Sequence, residues 1–256
     1  MYRVDRTEAT GGRTNELDNL FETSSRYGAA IGSLLKPYLS QGLIVDVGSS
    51  TGGVLTGIKK TLPEVSVLGI EPSPDEAKYA EVHGIKTVVS LFEDFKSPLP
   101  KALAAIICTQ SLNHLLDPKG FLDRSHEMLQ NGGYLLLAVK NFRHQSARAG
   151  STKGAIQIDH PFMFTPEVLK RFVEQSGFTV VYFDVDEKKS KREIDIQRME
   201  GLTKGHIRLI ARKSVKPGRV SFVPFLTRLK LRIQFLPIVT KGVYLLKHSQ
   251  RLSLLR

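Results

Sequence analysis

A chain of 256 residues with 41% hydrophobic and 24% charged side chains can bury one substantial core and still carry an appendage. Its net charge of +12 is unevenly placed: residues 1–200 hold 24 Lys and Arg against 25 Asp and Glu, whereas 201–256 hold 13 and no acid. The excess therefore belongs to the C-terminal segment rather than the core, and the single cysteine, Cys108, excludes an internal disulfide or a cysteine-rich zinc site.

The opening MYRVDRTEATGGRTNEL lacks the apolar stretch of a signal peptide, and no run approaches the roughly 18 unbroken apolar residues of a membrane span. A cytoplasmic protein is expected. Residues 1–14 form a polar N-terminal segment. From Asn15 to Leu39 apolar residues recur at helical spacing, among them Leu17, Leu20, Phe21, Tyr27, Ile31, Leu34 and Leu35. Short apolar, β-rich runs then appear at 43–47, 65–70, 86–90, 102–108 and 134–139, separated by helical stretches at 52–61, 74–82 and 119–129. Continuous apolar strands alternating with helices predict a parallel sheet covered on both faces. Cys108 ends one of these runs, ALAAIIC, and reads as a small buried hydrophobe rather than a nucleophile. Two later strands, 178–185 and 205–212, flank the charged stretch DEKKSKREID and predict a hairpin that closes the sheet antiparallel at one edge.

The first strand, LIVDV, runs into GSSTGG. In an open parallel sheet a ligand lies beyond the carboxyl ends of the strands, beside the first of them. Gly48 permits the turn, and Gly52 and Gly53 let the next helix start close to ligand and sheet. The spacing alone admits either a dinucleotide fingerprint or the D-x-G-x-x-x-G loop of a methyl-donor site. Glu71, which ends VLGIE, suits the ribose hydroxyls of either cofactor.

DVGSSTG, GIEPS, LFEDF (91–95), CTQSLNHLLDP (108–118) and LQNGGYLLLAV (129–139), in that order, resemble the class I Rossmann-like S-adenosylmethionine-dependent methyltransferases. The likeness is strongest to the group with "leHl.dp" and "L.pGG" strings and covers about residues 20–213. It implies an α/β, Rossmann-like doubly wound, mostly parallel seven-stranded sheet with an antiparallel edge strand, plus N-terminal helices and a basic C-terminal helical extension. The methyltransferase domain would span 15–213 and the extension 214–256. S-adenosylmethionine would be the cofactor. Asp46, Gly48, Ser49, Ser50 and Gly52 would surround its methionine part, with Arg26 a partner for its carboxylate or else a solvated helix charge. Glu71, with Pro72 after it, would hold the ribose, and Leu91, Phe92 and Glu93 would line the adenine. Thr109, Gln110 and Ser111 would face the sulfonium. Ser50 stands where the family more often has glycine.

Methyl transfer to oxygen benefits from a base, and histidine titrates near neutrality. The candidates are His160, then His144, then His114. His160 precedes Phe162, Met163 and Phe164 in a segment that the resemblance places over the acceptor pocket; fixing loop geometry through Asp159 or the backbone is its structural alternative. Metal assistance would need clustered ligands, and Asp159–His160 is the only adjacent pair in that loop, so no metal is expected. In the extension Phe225, Leu226, Leu229, Ile233 and Leu236 fall near helical spacing, with Arg228, Lys230 and Arg232 between them. Peripheral membrane attachment through 219–256, at the inner face of the membrane, is one role. Packing on its own domain or on a second subunit, as in a homodimer, is another. Nucleic acid is disfavoured by the absence of an RNA-module signature and of stacking aromatics. The expected function is methyl transfer to an oxygen of a small molecule, sugar or glycan, or lipid-linked acceptor. The alternatives are an RNA methyltransferase and a non-catalytic donor-binding or partner-binding protein.

Overall fold

The computed structural model describes residues 10–96, 103–158 and 160–214, all within one compact unit. The extension beyond Ser214 and Asp159 lie outside the described residues, and with them the membrane, nucleic-acid and subunit roles expected of that extension. Strand β1 (Gly42–Val47) pairs with β2 (Val65–Glu71), which pairs with β3 (Thr87–Val89); on its other side β1 pairs with β4 (Leu103–Thr109), and β4 with β5 (Leu129–Lys140). All four pairings are parallel. The sheet order is β3-β2-β1-β4-β5-β7-β6, with β6 spanning Phe178–Val185 and β7 spanning His206–Lys213. The expected mostly parallel, seven-stranded sheet with an antiparallel hairpin at one edge is present. The strand that opposes the others is β7, inserted between β5 and the outermost β6.

Helices cover both faces. Ile44, Ala105, Ile107, Leu136, Ala138 and Ile210 form one apolar layer with Tyr27, Ile31 and Leu35 of α1 (Thr10–Leu35) and with Leu55 and Ile58 of α2 (Gly53–Thr61). Val45, Ile106, Leu135, Leu137 and Leu209 form the other with Phe121 and Leu122 of α4 (Pro118–Met128). Between these helices in chain order lies α3 (Pro74–Val82). Its start is set by Pro74 and by Ser73, whose Oγ accepts from the Glu76 N–H; Asp117 and Pro118 start α4 in the same way. Contact between α1 and α2 is backbone to backbone. A Cβ at Gly57 would overlap the Ser25 carbonyl, and one at Gly28 would overlap Val54.

After β5 come α5 (Phe142–Arg148), the short α6 (Thr152–Ala155) and α7 (Pro166–Gln175); Leu169 and Val173 of α7 join the α4-side core. The stretch expected as a charged loop is instead a 3-10 turn, Asp186–Lys188, followed by α8 (Lys191–Met199). Ser190 and Glu193 close a reciprocal capping box that starts this helix without burying any of it.

Candidate functional site

Asp46 projects from β1 two residues beyond Ile44 and so faces the α1 side, where strand alternation also places Thr109, Lys140, His206 and Arg208. Directly after β1 the chain turns through three left-handed residues, Gly48 (φ 75°), Ser50 (φ 48°) and Gly52 (φ 76°). The Gly48 and Ser49 N–H groups both donate to the Ile70 carbonyl, at 2.9 and 3.1 Å, which ties the loop to β2. A Cβ on Gly48 would overlap the Ser111 hydroxyl, so the loops after β1 and β4 touch there.

Glu71 is 8% exposed at the end of β2. Its Oε2 accepts from the Ser50 N–H at 2.8 Å and its Oε1 from the Ser73 N–H at 2.9 Å. The carboxylate thus joins the glycine loop to the start of α3 while each oxygen keeps further accepting capacity. Burial raises its pKa, and the two N–H donors work against that rise. Asp46 is more extreme. It is 1% exposed, neither oxygen has a hydrogen-bond partner among the described residues, and burial first, then the nearby Glu71, push its pKa up to about 8.

Leu91, Phe92 and Glu93 follow β3. Phe92 is turned into the core, its ring 5.1 Å from that of Phe121 and covered by Arg124, so it offers a ligand main chain more than ring face; Glu93 is exposed. Thr109 is buried, and Gln110 holds a left-handed φ of 63° while its N–H donates to the Ala138 carbonyl at 2.7 Å. Ser111 Oγ lies 3.4 Å from the Gly48 carbonyl. Pro72 is half-buried between Glu71 and Ser73. The side chain of Arg26 is exposed, and the Arg26 carbonyl packs on Gly201, before β7. The structure therefore groups Asp46, the 48–52 loop, Glu71 and Ser111, and sets Arg26 toward the β7 end.

The three histidines divide. His114 ends a 3-10 turn, Leu112–His114, and its ring meets that of His160 edge-on at 4.5 Å. His160 is 3% exposed, whereas His114 is exposed. Asn113 Nδ2 donates to the Phe162 carbonyl at 2.9 Å, and the Phe142 N–H to the Phe164 carbonyl at 2.9 Å, so the 160–164 segment is fastened over the ends of β4 and β5. His144 lies apart on α5, against Gly205.

Sequence reasoning missed a buried polar group beside the site. Arg208 is 1% exposed and donates to Asp184 at 2.7 Å; Lys189 also pairs with Asp184. Tyr27 from α1 is buried, its hydroxyl without a partner among the described residues; burial raises its pKa, with the Arg208 charge opposing and Asp46 adding to the rise. His206 is held neutral, its pKa pushed down to about 4 by burial, with Arg208 and Lys140 adding to the fall against the Thr203 carbonyl. These residues sit in sequence patterns that read simply as helix and strand. No periodicity marks a charge placed in an apolar layer. Among the described residues no group of three or more His, Cys, Asp or Glu is arranged to hold a metal.

A strand order of this kind with a glycine loop after β1 and a carboxylate ending β2 defines a nucleotide-type cofactor fold, and comparison with known proteins resolves which. The profile of a family described as "Methyltransferase domain" matches residues 23–182, and the chain belongs to that family. It carries an S-adenosylmethionine-dependent methyltransferase domain of class I architecture. The chain resembles a ubiquinone biosynthesis O-methyltransferase of Xylella fastidiosa at 28% identity over 109 residues, which is 40% of this chain and 44% of that protein. One from Cupriavidus pinatubonensis is 24% identical over 155 residues, 54% of this chain and 60% of the relative. The match thus spans about half the length of these relatives. Among solved structures, the plantazolicin methyltransferase BpumL in complex with SAH superposes with a TM-score of 0.59 at 14% identity, over 78% of this chain and 88% of that one. A methyltransferase from Thermotoga maritima gives 0.55 at 19% identity, over 78% and 96%.

Proposed function

We propose that the protein transfers a methyl group to an oxygen of a small acceptor with an apolar body, a lipid-linked molecule being the leading class. The observation that carries this is the segment before α7. It exposes Ile156, Ile158 and Phe162, with Leu116 also exposed in the loop that Asn113 fastens to it, while His160 stays buried against His114. Clustered exposed apolar side chains mark a surface that meets something apolar. The Xylella and Cupriavidus relatives, both named as O-methyltransferases, point the same way.

The residues fit the donor. Asp46, buried with both oxygens unpartnered among the described residues, suits the ammonium of the donor's methionine part, because a cation would offset the desolvation that now keeps the carboxyl protonated. Glu71 retains one accepting position on each oxygen for two neighbouring ribose hydroxyls. The 48–52 loop and Ser111 would enclose the methionine part, with the main chain at 91–93 toward the base. Bound S-adenosylmethionine supplies a methyl group already activated on a sulfonium. The work left to the chain is alignment, for which the loops after β1, β2 and β4 are locked to one another, and removal of the acceptor's proton, assigned here to His160 with His114 at its side.

The test is incubation of the purified protein with methyl-labelled donor and fractionated cell extract. Label in a small-molecule or lipid fraction, released as an O-methyl group, supports the proposal. Label in RNA alone overturns it.

A further inference from the structure

On the same end of the sheet as the donor loop, a cavity of about 490 Å³ is lined by His144, Arg148, Arg198, Leu202, Thr203 and Lys204. It brings together two arginines, a lysine and a histidine, and no carboxylate lines it. Among the described residues Arg198 has Asp195, on its own helix, 4.0 Å away. The main chain next to the lining residues is tied down by close contacts. A Cβ at Gly205 would come within 2.6 Å of the His144 ring, the Gly205 N–H donates to Asp186 at 2.5 Å, and its carbonyl accepts from the Asn141 N–H at 2.9 Å. Leu202 is buried in the α1-side core, and Gly201 (φ 100°) rests against the Arg26 carbonyl. Four cationic or protonatable side chains from α5, the end of α8 and the loop before β7 thus line one concavity, with Arg148, Arg198 and Lys204 exposed to incoming solute. Convergent cations around a cavity whose lining includes no carboxylate favour an oxyanion.

We propose that this cavity binds an anionic oxygen group, phosphate ester or carboxylate, carried by the methyl acceptor. The inference rests on the methyl-transfer function above and adds to it a specificity determinant. β7 lies two strand spacings from β4, so the anionic group would sit about 10 Å across the sheet from the Thr109–Ser111 end where the donor loops meet. The acceptor class is then an amphipathic molecule whose acid group is separated from the methylated oxygen by about that span.

The test follows the backbone amides of Leu202–Gly205 and Arg148 by NMR in the full-length protein. Inorganic phosphate and acetate are titrated separately, and S-adenosylhomocysteine is titrated into the same samples. Saturable shifts at Thr203, Lys204 and Gly205 are expected. A paired Arg148→Ala and Lys204→Ala variant should weaken the apparent affinity about tenfold or more, while Lys230→Ala with Arg232→Ala in the basic extension should not. Arg198→Ala gives an independent check. A stronger response to phosphate assigns a phosphate ester, and a stronger response to acetate a carboxylate. The proposal is overturned if these amides do not respond, if the paired variant binds as tightly as wild type, or if an oligonucleotide occupies the site more tightly than either anion. Retained S-adenosylhomocysteine binding shows the variants to be folded. Its failure with wild-type protein would instead overturn the donor assignment and leave the anion result standing.

Discussion

Asp46 gives the most quantitative test. Its carboxyl has a pKa pushed up to about 8 in the fold, against about 3.9 in an unfolded chain. Between these values the native state keeps a proton that the unfolded state has released, so stability falls as pH rises from about 4 to 8 and levels off above. At pH 7 the cost is about 3 pH units at 1.36 kcal/mol each, on the order of 4 kcal/mol relative to a side chain that does not titrate. Asp46→Asn keeps the shape and removes the titration. The variant should melt roughly 8–16 °C higher at pH 7, with a flatter dependence of stability on pH. It should also bind S-adenosylhomocysteine more weakly, since an amide cannot offset an ammonium. Calorimetric melting between pH 4 and 9, paired with ligand titration, reads both quantities. A variant that is less stable than wild type, or that keeps the wild-type pH slope, would show that Asp46 is already charged in the free protein and would refute the reasoning.

Glu71→Ala removes the acceptor of the Ser50 and Ser73 N–H groups and should weaken S-adenosylhomocysteine binding by about 1.5–3 kcal/mol in a calorimetric titration; unchanged affinity would place the ribose elsewhere. His160→Ala should lower turnover about 10²–10⁴-fold with donor affinity near wild type, and an unchanged rate would show that alignment alone suffices. The extension, with nine Lys and Arg and no acid in 214–256, should carry full-length protein down with anionic vesicles, less so as salt is raised. A chain ending at Lys213 that sediments equally well would sink the membrane role.

Much of this was legible in the residues. Runs such as LIVDV and ALAAIIC are apolar without alternation because both faces of a parallel sheet are covered, and the glycine loop and Glu71 stand where the strands end. Three things were not legible. The helix α8 has its residues half-buried to exposed, so no apolar stripe announces it; its one signal is the Ser190-x-x-Glu193 box inside what reads as a charged loop. The insertion of β7 between β5 and β6 is a matter of pairing, which strand periodicity does not encode. The separation of His144 from His114 and His160 is likewise tertiary, since all three lie in loops or short helices after strands that end on the same side.

The placement of α1 links the glycine loop to the cationic cavity. Gly28 and Gly57 let its backbone close onto α2, the helix that begins at the glycine loop, and, two residues to either side of Gly28, Arg26 and Ala30 receive Gly201 from the loop that lines the cationic cavity. Tyr27 lies between those contacts in sequence, buried in the sheet-facing layer, and its hydroxyl experiences both the Asp46 carboxyl and the Arg208 guanidinium. Arg208 is anchored in turn to Asp184 and to the Thr203 carbonyl of the cavity wall. A change of charge at Asp46, such as an ammonium would bring about, therefore acts on a phenol whose other electrostatic neighbour is fixed to Thr203, in the wall of the cavity proposed to take the acceptor's anion. A tyrosine phenol is un-ionised near neutral pH and burial raises the Tyr27 pKa further, so what it can transmit is the orientation of its O–H dipole rather than a proton.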